Sequence, residues 1–92
     1  MPRIFKYGGY YFFFWVDELN ESVHIHVSKG RSKINATKIW LTEEGGSLLA
    51  HNKSRIPMHD LKDICDVIES NHKMICDEWK RFFSLAEIKF YC

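Results

Sequence analysis

Two hydrophobic periods divide the chain. Up to about residue 50 apolar side chains come in short runs or alternate with polar ones, and beyond residue 58 they recur every three or four positions. The first run, YYFFFWV over 10–16, is apolar on both sides: Tyr10, Phe12, Phe14 and Val16 on one, Tyr11, Phe13 and Trp15 on the other. Neighbouring strand residues face opposite ways. A run without alternation therefore predicts a strand that is central in a small sheet or covered on its second face. Gly8 and Gly9 ahead of it predict a turn, because glycine reaches positive φ without a Cβ clash. The polar DELNES segment (17–22) predicts another turn, and VHIHV (23–27) the returning strand. SKGRSKIN (28–35) reads as a loop pivoting on Gly30. ATKIWL (36–41) is a third strand, with Thr37, Ile39 and Leu41 on one face and Lys38 and Trp40 on the other. TEEGG turns into SLLA (47–50), a short fourth strand at an edge.

After HNKSR the period changes. Leu61, Ile64, Cys65, Ile68, His72, Ile75, Cys76, Trp79 and Phe83 form one apolar stripe at helical spacing. Pro57 suits the first turn, and Asp60 and Asp63 lie near the positive end of the helix dipole. The stripe passes Asn71 in phase, so one helix over about 58–83 is expected, long or bent near Ser70–His72. Residues 84–92 form a tail that extends the helix or folds back. The expected architecture is one α+β domain over 1–92: an antiparallel meander of three to four strands packed against one C-terminal helix. The chain carries no internal repeat and no low-complexity segment.

Composition adds two points. Seven Phe, four Tyr and three Trp in 92 residues are many rings for a small core. The surplus suggests an apolar face for a cognate small protein or for self-association. The 13 Lys/Arg against 12 Asp/Glu give a net charge of +1, which argues against a chromatin-like or ribosomal polycation. The charge is uneven, with eight basic against five acidic residues in 1–57 and four against six in 58–83. Cys65, Cys76 and Cys92 include no CxxC pair, which fits a reduced, cytoplasmic compartment. Cys65 and Cys76 fall on the helix stripe and are expected inside. The seven-residue aromatic run is too short to cross a bilayer, and no small-residue cleavage site follows it.

The candidate chemistry centres on His24 and His26. Two positions apart on a strand, they share a face, while Val23, Ile25 and Val27 turn towards the helix. The histidines are therefore expected on the side of the sheet left uncovered. One reading has them incidental there, solvated or stacked on strand aromatics. A second has them ligating a metal, for which Glu21 and His51 supply further ligands only by folding, with His59 more remote. No spacing enforces that, and neither a metal nor a cofactor is assigned.

The third reading is directed at RNA. His24 and His26 act as acid and base near neutral pH, and Lys29, Arg31, Lys38 and Arg55 hold phosphates, with Lys33 and Lys53 nearby. Tyr10, Tyr11 or Trp40 stack bases. His72 reads as a core or boundary residue, and Trp79 and Phe83 as anchors of the helix. TEEGG lacks the pattern of a phosphate loop, and Glu43 and Glu44 would repel a phosphate.

MPRIFKYGGYYFFFW, ESVHIHV, ATKIWL and EWKRFF together resemble the small bacterial domain-of-unknown-function family 4160 over residues 1–83. The matching positions are Gly8, Gly9 and Tyr10, His24 and His26, Lys38 and Trp40, and Trp79. Family members often place Pro where this chain has Ser22. The resemblance implies a two-protein, toxin–antitoxin-like setting and gives no mechanism.

Overall fold

In the computed structural model, residues 3–15, 21–30, 35–85 and 87–91 are described. Five strands, β1 (Arg3–Tyr7), β2 (Tyr10–Phe13), β3 (His24–Lys29), β4 (Thr37–Leu41) and β5 (Ser47–His51), precede two helices, α1 (Met58–Ser70) and α2 (His72–Phe83). The strands form one antiparallel sheet in chain order, so β1 and β5 are its edges and β3 its centre.

The α+β class is as expected, with one strand and one helix more. The added strand, β1, precedes the glycine turn. Gly8 and Gly9 both have positive φ (53° and 86°), and Tyr7 pairs with Tyr10. Two left-handed residues between paired strands make a tight hairpin whose twist matches the sheet. The aromatic run leaves the sheet after Phe13 rather than at Val16, which lies outside the described residues.

The single predicted helix is broken at Asn71. Its backbone (φ −115°, ψ 19°) leaves the helical region, and its side-chain amide donates to the Val67 carbonyl at 2.8 Å. Helix α2 restarts at once, its Ile75 N–H donating to Asn71 O. The apolar stripe continues across the break, with Leu61, Ile64, Ile68, Ile75, Cys76 and Trp79 all buried. Cys76 is inside as expected, whereas Cys65 is only half-buried. Ser84, at φ 54°, ends α2 in the left-handed conformation.

The tail folds back. Leu85, Ile88 and Phe90 pack on the core, and the Lys89 carbonyl accepts the Val23 N–H at 2.9 Å. The register fixes the two faces of the sheet. Phe12 pairs with Val27, Val27 with Thr37, and Ile25 with Ile39. These residues share the core face with Tyr10 and Leu41, against the helices. Phe13 pairs with His26, His26 with Lys38, and His24 with Trp40 on the opposite face. Among the described residues no helix is long and apolar enough to cross a membrane.

Candidate functional site

β3 is flanked by a strand on each side, so its side chains meet neighbours in both directions. His24 is 0% exposed and His26 is 6%. The expectation that the pair would line an uncovered face is therefore corrected. The His24 ring lies 5.3 Å from Trp40, 5.1 Å from Trp79 and 5.0 Å from His26, each approached edge-on. Its Nδ1 is 2.8 Å from the Ser22 carbonyl oxygen. A carbonyl can only accept, so the contact places a proton on Nδ1. His26 stacks on Phe13 at 5.6 Å and meets Trp15 edge-on at 6.0 Å. Tyr91, from the returning tail, stacks on Trp40 at 4.7 Å. The histidines belong to an aromatic cluster.

The other candidates are dispersed. Lys38 donates to Glu21 Oε1 at 2.7 Å and lies 4.3 Å from the Trp40 ring centroid. His59 pairs with Asp60 at the start of α1, at 3.1 Å. Among the described residues, no three His, Cys, Asp or Glu side chains are grouped as a metal ion would require. His72 donates at the helix boundary, its Nε2 2.7 Å from the Thr42 carbonyl oxygen, which fixes Nε2 as the protonated nitrogen.

The exposed cations do gather. Lys29 ends β3, and Lys53 and Arg55 sit on the loop after β5; all three are exposed. That loop is clamped to the start of β4. Thr37 Oγ1 donates to Asn52 Oδ1 at 2.7 Å, the Ile56 N–H donates to the same oxygen at 3.0 Å, and the Ser54 hydroxyl donates to Asn35 O at 2.7 Å. The end of β3, the start of β4 and the end of β5 lie at the same end of an antiparallel sheet. Lys29, Lys53 and Arg55 thus share that end. Arg31, also expected to hold phosphate, and Lys33 lie outside the described residues.

Carboxylates approach this end too, because Tyr10, which binds Asp60, is the cross-strand partner of Lys29. Asp60, Asp63, Asp66 and Glu69 all lie on α1. The Tyr10 phenol donates to Asp60 Oδ2 at 2.6 Å. Burial, then this bond and the nearby carboxylate charge, push the phenol pKa up to about 12. A shallow cleft of about 220 Å³ there is lined by Tyr7, Tyr10, Asp60 and Asp63. Its carboxylates disfavour an anionic ligand.

His51 was given only a metal-ligand role by the sequence. A bulge in the β4–β5 pairing sets it opposite Lys38. His26, Lys38 and His51 consequently form a row across β3, β4 and β5. Partial burial lowers the His51 pKa, and neighbouring groups, Lys53 first, lower it further against the pull of its own backbone. A signal for this region existed in the chain. Residues 22–42 and 45–59 hold six Lys/Arg and no Asp or Glu.

The profile of a family described as Domain of unknown function (DUF4160) matches residues 9–80. No curated protein and no solved structure matches the chain. With the profile covering most of its length, this chain belongs to the DUF4160 family.

Proposed function

We propose that this protein is the RNA-directed component of a two-protein module, toxin-like in action, and that it holds the RNA backbone at the basic end of its sheet. One observation carries the reading: exposed Lys29, at the end of β3, and Lys53 and Arg55, on the loop after β5, share one end of the sheet, where the nearby Asp60 is engaged by the Tyr10 phenol. Cations on a strand end and on a neighbouring loop suit a phosphate chain, with Arg giving a planar fork and Lys a point charge. Arg31 belongs to the same set by sequence. His24 and His26 are assigned a framework role in place of acid and base, since a proton acceptor must come within hydrogen-bond reach of the substrate and both rings are enclosed. Binding of a labelled oligouridylate, followed by fluorescence anisotropy against salt, tests the reading. Affinity that falls steeply with salt supports it, and absence of binding at low salt sinks it.

A second reading, as a protein-binding adaptor, rests on β5. This edge strand exposes Leu48 (44%) and Leu49 (42%). An open ladder with apolar side chains suits addition of an extended strand from a cognate protein. Co-expression with the product of the adjacent gene tests it. A stoichiometric complex that Leu49→Lys disrupts is the expected result, and two independent monomers would refute it.

A further inference from the structure

We infer that His51, Lys38 and Lys53 form a site for a single phosphate group on the face of the sheet away from the helices, and that filling it draws one proton from solvent onto His51. The inference rests on the RNA reading only in taking that phosphate from an RNA backbone; the site itself stands on its own geometry.

The placement comes from strand pairing. His51 on β5 lies directly across from Lys38 on β4, and Lys38 directly across from His26 on β3. Directly opposed residues share one face at short range. Lys53 follows His51 by two residues on the clamped loop. The His51 Nδ1 atom is buried and meets no hydrogen-bond partner of good geometry among the described residues. A buried imidazole nitrogen in that condition is costly, and because His51 as a residue is only half-buried, a turn of its ring brings that nitrogen to a ligand oxygen.

The charged and titratable groups around His51 are His26 on β3, Lys38 on β4 and Lys53 beyond β5, with Glu21 the carboxylate paired to Lys38. The three that act on His51 repel its proton, and only its own backbone weakly favours it. An entering anion neutralises that field, and the imidazole then takes up a proton and donates it as a charge-assisted hydrogen bond. Glu21 already occupies the Lys38 ammonium. It is itself 41% exposed whereas Lys38 is 17% exposed, so the carboxylate is the partner free to swing away. Glu21 thus acts as a resident anion that an incoming phosphate displaces.

The test follows the His51 imidazole titration by NMR in the full-length chain. Sulfate, whose charge is constant across the range, and hexauridylate are compared with chloride at matched ionic strength. The site predicts that sulfate raises the His51 midpoint, that Lys53→Ala weakens this response about tenfold, and that Glu21→Gln strengthens it. Amide spectra of each variant establish that it is folded. A His51 midpoint indifferent to sulfate in the folded wild type overturns the inference, as does a response unchanged in both variants. Hexauridylate that binds without moving His51 likewise overturns it, leaving the RNA reading intact. Sulfate that moves His51 while hexauridylate fails to bind upholds the site and removes the RNA reading.

Discussion

The histidines of β3 and the histidine of β5 are the same side chain in two settings. His24 and His26 lie on the central strand, closed in by Phe13, Trp15, Trp40 and Trp79. His51 lies on an edge strand beside two lysines. In the first setting imidazole behaves as an aromatic ring with a polar handle, its Nδ1 spent on the Ser22 carbonyl. In the second it is a titrating group whose pKa is set by burial and by neighbouring cations. Strand position and neighbours decide which role an imidazole takes. Spacing along the chain does not.

The most damaging way to probe that contrast is to open the aromatic cluster. Trp79 is fully buried, meeting Phe14 at 5.1 Å, Phe83 at 4.5 Å and His24 at 5.1 Å. Trp79→Ala is expected to cost about 3–5 kcal/mol in urea denaturation, enough to unfold a marginal domain of this size. A loss below ~1 kcal/mol would show that the cluster is not the foundation assigned to it.

Removing one histidine comes next. His24→Ala opens a cavity and loses the bond to Ser22, for about 2–4 kcal/mol. A His24 that lined an open site would lose little stability when truncated, and chemical denaturation distinguishes the two cases.

At the basic end the expectation reverses. Lys53→Ala with Arg55→Asn should move stability by no more than about 0.5 kcal/mol, yet weaken oligouridylate binding about tenfold. Asparagine is chosen because position 55 has φ 56°, which it tolerates. Equal RNA affinity in the double variant would place the phosphate contacts elsewhere.

The smallest effects are in pH dependence. His51 has a folded pKa below its ordinary 6.5. The unfolded chain therefore takes the proton first as pH falls. Stability is complete above about pH 6.5 and declines below it through the window down to the folded value, and His51→Gln should flatten that acid arm. Tyr10 works oppositely. Its folded pKa of about 12 exceeds the usual 10, so its contribution is present below pH 10 and lost as pH rises towards 12. Tyr10→Phe should remove that alkaline slope in thermal melts run across the range.

The readable parts of the sequence were those set by local pattern. The aromatic run announced β2, VHIHV announced β3, and the stripe from Leu61 to Phe83 marked the helical region. Elements whose cause lies elsewhere were less legible. RIFKY is short and mixes basic with apolar residues, and it becomes a strand only through pairing with β2. The break at Asn71 leaves the stripe in phase, so periodicity is silent about it, and a side-chain bond to Val67 marks the spot instead.

The enclosure of the histidines depends on Trp79 and on a tail that brings Tyr91 onto Trp40, all distant in sequence from VHIHV. His51 reaches Lys38 through a bulge that no sequence pattern signals. The cationic end was half visible: Lys29 and Arg55 were named, but the clamp joining their loops depends on Asn52, Ser54 and Thr37 meeting in the fold.

On the proposed reading the basic end, and not the histidine pair, contacts RNA phosphates. The most direct test is the slope of log affinity against log salt for oligouridylate, compared among wild type, the Lys53→Ala/Arg55→Asn variant and a folded His24→Gln variant. Each lost phosphate contact on a single strand flattens the slope by about 0.7, so the double variant should be shallower by about 1.4. His24→Gln should match wild type in both slope and affinity. A flattened slope or lost affinity in His24→Gln, with the basic-end variant unchanged, would return the phosphate contacts to the histidine pair.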